Sequence, residues 1–347
     1  MINVSYIPKE ISELYVSPSI NIIEDAFYSE LLSYPFDKTK SLKEKFNLDS
    51  TDNLSLEELY AILIQLDKDF KYIFRGYSLK KIILMKPEAI PSFIIEIESR
   101  ISDILYADDM DVSDELYYKL KSIFNYTKFQ NEIITPFFKN NFFFKTCHYC
   151  NKTYTTDIVF EKKDKKIILT YQLDHFYEKA NYPYLGISFY NFIPCCSTCN
   201  STIKNREVKS IADDCFSKKC IAPNSKEFYF HNKVKFKTFF AKDNILIKNI
   251  DDFTILLKEK YKDEYKEYIR IFNLNEVYLA HRDIVLEMIK KRKKYSNARI
   301  KELARITKQS DVKVKEDLFG EHLNDKDLLK RPLSKLTQDI GKELGLI

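Results

Sequence analysis

Two C-x-x-C pairs, Cys147/Cys150 and Cys196/Cys199, are the residues best spaced for chemistry in this chain. Four thiolates satisfy tetrahedral Zn²⁺ and close its coordination shell. A closed shell leaves no position for water, so the zinc expected here is structural, contributing on the order of 10 kcal/mol to folding. Cys195 competes with Cys196 for the third place, but only Cys196 keeps the two-residue spacing to Cys199. His148, inside the first pair, is expected to face solvent, and Cys215 and Cys220 to be packing cysteines. Seven cysteines are an odd number, and the N-terminal stretch carries no basic segment followed by an apolar one. A cytoplasmic chain that uses cysteine for metal rather than for disulfides follows as the expectation.

Between the pairs stand Asp174 and His175, at the end of an expected strand, then Asn191, then Asn200 at the start of an expected helix. Taken alone, an Asp-His pair is a satisfied polar contact or part of an acyl-transfer triad. No G-x-S-x-G accompanies it. A strand ending in Asp-His, a loop, an Asn, a helix and a second Asn, all framed by zinc ligands, is a more specific combination.

The stretch Cys147–Asn205 resembles the HNH endonucleases, whose site is a ββα-metal unit. The motifs are the C-x-x-C at 147–150, LDHF at 173–176, YNFIP at 190–194 and CSTCN at 196–200. They span about a sixth of the chain, and Asn200 stands where the family name places a second histidine. The resemblance implies hydrolysis of phosphodiester bonds, with His175 as the general base that deprotonates water. Asp174 and Asn200 would hold a catalytic Mg²⁺ or Mn²⁺ beside the structural Zn²⁺. Asn191 would fix the loop and orient His175, and Lys204 and Arg206 would meet phosphate. Residues 173–201 look particularly like the HNH subunit of Septu and retron-associated antiphage defence systems. That likeness implies a separate ABC-type ATPase as partner, and no phosphate-binding loop of the G-x-x-x-x-G-K-S/T type occurs in this chain.

These residues need a scaffold, and the sequence offers a mainly helical α+β protein around the zinc-braced core. Residues 1–140 read as helical. Ser55 and Glu58 form a capping box ahead of Leu59, Ile62, Leu63 and Leu66, and Pro91-Ser92 opens a second helix. This region is a candidate for partner docking. Residues 141–250 hold the nuclease core. YTTDIVF pairs with KIILTYQLDH across the charged turn EKKDK, FYNFIP is a third extended piece, and KVKFKTFF pairs with ILIKNI. From about 251 to 347 the pattern is helical and basic.

Charge follows the same division. Residues 1–140 carry 16 Lys/Arg and 23 Asp/Glu, a net of −7, which leaves +12 on the remainder. A positive half bearing a metal signature points to a polyanion, with DNA preferred to RNA or tRNA. No apolar run is long enough to cross a membrane. Two other readings fit the residues: a zinc-braced nucleic-acid-binding module without catalysis, and a stand-alone restriction-type nuclease. The latter needs its own specificity element. The basic run 284–306 is its candidate, since the sequence shows no helix-turn-helix signature.

Overall fold

The computed structural model describes residues 20–34, 55–107, 112–142, 145–159, 167–204, 220–240, 247–260, 263–320 and 328–347. Helices dominate these residues, and three two-stranded antiparallel hairpins lie among them. Arg206, Cys215 and the turns EKKDK and KDN lie outside the described residues.

The N-terminal helices form where the periodicity places them. The Ser55 side chain accepts from the Glu58 N–H while the Glu58 carboxylate takes the Ser55 N–H, so the box caps Leu56–Leu66 at both partners. Leu59 and Leu63 are buried and Leu66 is exposed. Helix Ile90–Ala107 turns Ile94, Ile97 and Ile104 inward.

The middle of the chain differs from the expectation in one respect. Strand β1 (Asp157–Val159) pairs with β2 (Ile167–Leu169), but the extended run then breaks. Thr170 is the cause. Its Oγ1 accepts the Thr156 N–H and donates to the Thr156 carbonyl, both at 2.7 Å, which closes the hairpin and turns the chain. Strand β3 (Gln172–His175) then leaves to pair with β4 (Phe192–Cys195), Asp174 opposite Ile193 and His175 opposite Phe192. The helix Thr198–Lys204, wound in the wider π form, follows β4 directly. Hairpin plus helix is the unit that carries the candidate residues.

The N-terminal helices are part of this unit's core. The loop between β3 and β4 is pressed into them: Phe189 packs on Phe27 and Phe138 with ring centroids 5.1 and 5.3 Å apart. Tyr184 donates to Glu98 at 2.7 Å, and Glu24, Lys86 and Tyr190 form a half-buried polar cluster. One apolar cluster runs from Ile23 to Leu346. Each of these fully buried rings contributes roughly 1.5–3 kcal/mol.

Strand β5 (Val234–Phe240) pairs with β6 (Phe253–Glu259), not with ILIKNI. The expectation of helix from residue 251 onward is therefore corrected: Phe253, Ile255 and Leu257 alternate inward as a strand, and helix resumes at Lys266–Ile271. The outer edge of β5 is covered by the helix Ser334–Glu343. Asp339 accepts the Phe236 N–H at 3.1 Å and Glu343 accepts the Thr238 N–H at 3.3 Å. Carboxylates one helical turn apart thus satisfy amides two residues apart on an edge strand, which would otherwise be open to another chain. Buried Lys335 completes the seal, donating to the Val234 carbonyl at 2.6 Å and to Asp339 at 2.8 Å.

Candidate metal centre and active site

The Sγ atoms of Cys147, Cys150, Cys196 and Cys199 all lie within 4.8 Å of one another, and all four residues are buried. A ZnS₄ tetrahedron with bonds near 2.3 Å has edges of about 3.8 Å, so the cluster fits zinc. The first pair sits on a tight turn. Asn151 adopts the left-handed conformation (φ 53°), and its N–H returns to the Cys147 carbonyl at 2.9 Å. The Lys152 N–H points at the Cys150 sulfur, 3.4 Å away. The second pair leaves β4 into the π-wound helix, with the Asn200 N–H on the Cys196 carbonyl. A bond from the His148 N–H to the Pro194 carbonyl, 3.1 Å, joins the two halves.

Burial and crowding make the cluster suited to a cation. Burial drives the Cys147 thiol well above its ordinary range, and the neighbouring sulfurs do the same to Cys199. Four thiolates in an apolar pocket repel one another and lose hydration; a bound divalent ion removes both penalties. Cys195 lies outside the cluster, with its Sγ 3.7 Å from the Gln172 carbonyl. The expectation that His148 faces solvent is overturned. It is 2% exposed, and burial pushes its imidazole down to about 3.

The centre is gripped from the C-terminal side. Tyr278 donates to the Cys150 carbonyl at 2.6 Å and Tyr268 to the Tyr149 carbonyl at 3.2 Å. The Asn151 side chain reaches the Leu328 carbonyl, the Leu333 N–H bonds the Asn151 carbonyl at 2.7 Å, and Thr146 bonds the Leu329 carbonyl. Tyr149 stacks on Phe272, centroids 4.4 Å apart, and its hydroxyl donates to Asp174 at 2.6 Å. Tyr149 therefore links the thiolate cluster to the end of β3.

Asp174 and His175, neighbours on a strand, send their side chains to opposite faces. On one face the Asp174 carboxylate is held by Tyr149 and by the Lys204 ammonium at 2.7 Å; Lys204 also donates to the His175 carbonyl at 2.6 Å. Asn200 does not reach this carboxylate. Its amide donates to Gln172, 3.0 Å away, while Lys204, one turn further along the helix, meets Asp174. The structure thus pairs helix and strand in register: Asn200 with Gln172, Lys204 with Asp174. Lys204 was expected to meet phosphate from an exposed helix face; its side chain is 2% exposed, which removes it from the surface. A lysine five residues beyond Cys199, at the end of the same helix, folds back under the strand, and the Asp174 ion pair with the His175 carbonyl makes its burial tolerable.

On the other face, His175 Nε2 donates to the Gly186 carbonyl at 2.9 Å, which leaves Nδ1 as the lone-pair nitrogen of a neutral ring. Tyr126 and Phe192 meet the imidazole edge-on, centroids 4.4 and 5.0 Å away. Burial pushes its pKa down to about 3. Asn191 has no solvent exposure and pins the intervening loop at both ends. It accepts the Tyr177 N–H at 2.7 Å and donates to the Tyr177 and Leu185 carbonyls at 2.9 and 3.0 Å. Gly186 is where two backbones meet: a Cβ there would stand 2.4 Å from the Phe124 carbonyl oxygen. Any side chain would push the His175 acceptor away.

Sequence reasoning missed Tyr149, Tyr126 and Gly186. The first was visible as the residue inside a C-x-x-C, and the third as one of only five glycines. Tyr126 carried no local signal, because only the fold brings it to His175. Compared with protein-family models, curated proteins and solved structures, the chain matches none.

Three outcomes are expected. Cys147→Ser and Cys199→Ser each open the thiolate shell, so elemental analysis of the purified variants should show zinc well below one per chain, with a lowered melting temperature. Lys204→Met leaves the buried Asp174 charge unpaired and should cost about 3–5 kcal/mol in urea unfolding, whereas adding Asp174→Asn should recover part of that loss. The third concerns acid. The unfolded chain's histidine protonates near 6.5 while the folded His175 stays neutral until about 3, so stability falls as pH drops through that window. At about pH 5 this amounts to roughly 2 kcal/mol, and His175→Gln should flatten the pH dependence of unfolding by that amount.

Proposed function

We propose that this chain is a zinc-braced nuclease that hydrolyses phosphodiester bonds of nucleic acid, of the HNH class its motifs resemble. The observation that supports this reading most is the seating of His175. A neutral imidazole ends a strand of a hairpin–helix unit, its Nε2 fixed on the Gly186 carbonyl and its loop fixed by Asn191. A ring held this way is neutral at pH 7 and offers Nδ1 to take a proton from water as the water attacks phosphorus and the 3′-oxygen leaves.

Such enzymes imply Mg²⁺ or Mn²⁺, here on Asp174 and Asn200. As placed, Asp174 is paired with Lys204 through Oδ2, and the Asn200 amide nitrogen is tied to Gln172, so the two are engaged separately rather than brought to one ion. The positive charge beside the strand end is the Lys204 ammonium, held by two hard oxygen acceptors, the Asp174 carboxylate and the His175 carbonyl. A divalent ion on Asp174 would have to share the carboxylate with this ammonium or displace it.

The defence role belongs to the same proposal, with a separate ABC-type ATPase as partner. It rests on the likeness of residues 173–201 and on the lack of a phosphate-binding loop in this sequence. The second reading, a binding module without catalysis, is favoured by the closed Asp174–Lys204 pair.

Incubation with duplex DNA, single-stranded DNA and tRNA, with and without Mg²⁺ or Mn²⁺, separates the two. The nuclease reading expects cutting by the wild type and at least a hundredfold less by a folded His175→Ala protein that still binds. Equal cutting by both removes His175 as the base, and binding without cutting under every condition supports the module.

A further inference from the structure

The basic run 284–306 is not one helix. It breaks at Tyr295-Ser296 into Arg282–Lys294 and Asn297–Thr307, and a third helix, Asp311–Phe319, follows. The last two are joined by three residues. Lys308 takes the left-handed conformation (φ 55°, ψ 34°), the Gln309 N–H returns to the Ala304 carbonyl at 3.0 Å, and Ser310 caps the next helix on the Lys313 N–H at 3.1 Å. The two helices share a small core of their own, Ile300, Ala304 and Val314, separate from the main one. Ala304 is the small residue that lets the helices approach. A helix, a three-residue turn with a left-handed position and a second helix packed on the first make a helical hairpin with the chain order of a helix-turn-helix. The sequence hid it because the left-handed position, usually glycine, carries Lys308.

Its charge is lopsided. Residues 281–320 hold twelve Lys/Arg against six Asp/Glu, a net of +6 on a chain whose total is +5. Three of the acids are spent on neighbours: Glu287 on Lys291, Glu302 on Arg299 and Asp317 on Lys313. Lys301, Arg305 and Lys308 are exposed and, among the described residues, make no ion pair. At i, i+4 and i+7 they form one stripe along the first helix and into the turn. Ile306 and Val312, 68% and 55% exposed, flank that turn. Val312, an exposed apolar side chain in the first turn of the second helix, suits contact with a thymine methyl group.

We propose that Asn297–Phe319 docks on double-stranded DNA, with the Lys301–Arg305–Lys308 stripe on backbone phosphates and the first turn of Asp311–Phe319 toward the major groove. B-form DNA has a major groove about 12 Å wide that admits a helix, whereas the A-form groove of duplex RNA is too narrow. This goes beyond the nuclease reading and stands without it.

The test is fluorescence anisotropy of the full chain with a labelled DNA duplex from about 50 to 200 mM salt, duplex integrity being checked on a gel. Three phosphate contacts steepen the slope of log K against log salt by about 2.7. The triple variant Lys301→Gln, Arg305→Gln, Lys308→Gln should lose that much slope and bind at least tenfold more weakly at the lowest salt. The changes are all at exposed positions, and circular dichroism verifies the fold. Unchanged affinity and slope, or tighter binding to an RNA duplex of the same sequence, overturns the inference. A chain that binds DNA through the stripe and cuts nothing keeps this inference and loses the nuclease reading. A chain that cuts while its triple variant binds DNA unchanged does the reverse.

Discussion

Four sulfur atoms crowded into a buried space decide most of this structure. Burial drives Cys147 strongly toward its neutral form, and four thiolates together in that space would repel one another unless a cation lay between them. With one, they tie the turn at 147–150 to the end of β4, and every candidate residue hangs from one side or the other of that tie. Tyr149 carries the connection to Asp174; β4 carries it to His175 through Phe192; the π-wound helix carries it to Lys204 and Asn200. Opening the cysteine cluster would therefore loosen both faces of β3 together.

The two faces of β3 have different physical character. One is an ionic face, where a carboxylate, a phenol and an ammonium satisfy one another away from water. Its stability comes from completeness, since a buried charge that loses its partner is several kcal/mol less favourable. The other is an aromatic face, where an imidazole is kept neutral by its surroundings and aimed by a single carbonyl. The loop that supplies that carbonyl is fixed by Asn191 from within and by Phe27, Phe138 and Glu98 from the N-terminal helices. The acidic N-terminal region thus serves the site as a wall, in addition to any surface it offers a partner.

The local parts of this fold were legible because their signals are local. Cys-x-x-Cys spacing, the Ser55–Glu58 box and the isoleucine stripe of Ile90–Ala107 each act within one turn or one helix. What failed was non-local. The break at Thr170 depends on Thr156 across the hairpin. The partner of β5 was misassigned because ILIKNI and FTILLKE both read as strands, and their choice is made by register with β5 and by the helix Ser334–Glu343. Lys204 read as a surface lysine because nothing near it in sequence reveals a buried carboxylate thirty residues earlier. Asn191 differs from these, since a side-chain amide that binds both ends of its own loop acts over a short stretch of chain.

The clasp between Asn151 and the segment around Leu333 has a consequence for biosynthesis. The first zinc turn is made early, yet the residues that brace it and shield the rim of β5 are made nearly two hundred positions later. During translation the nascent core must wait with an unshielded strand and a half-held metal turn. The clasp and the cover of β5 therefore close only after the C-terminal helix has been made.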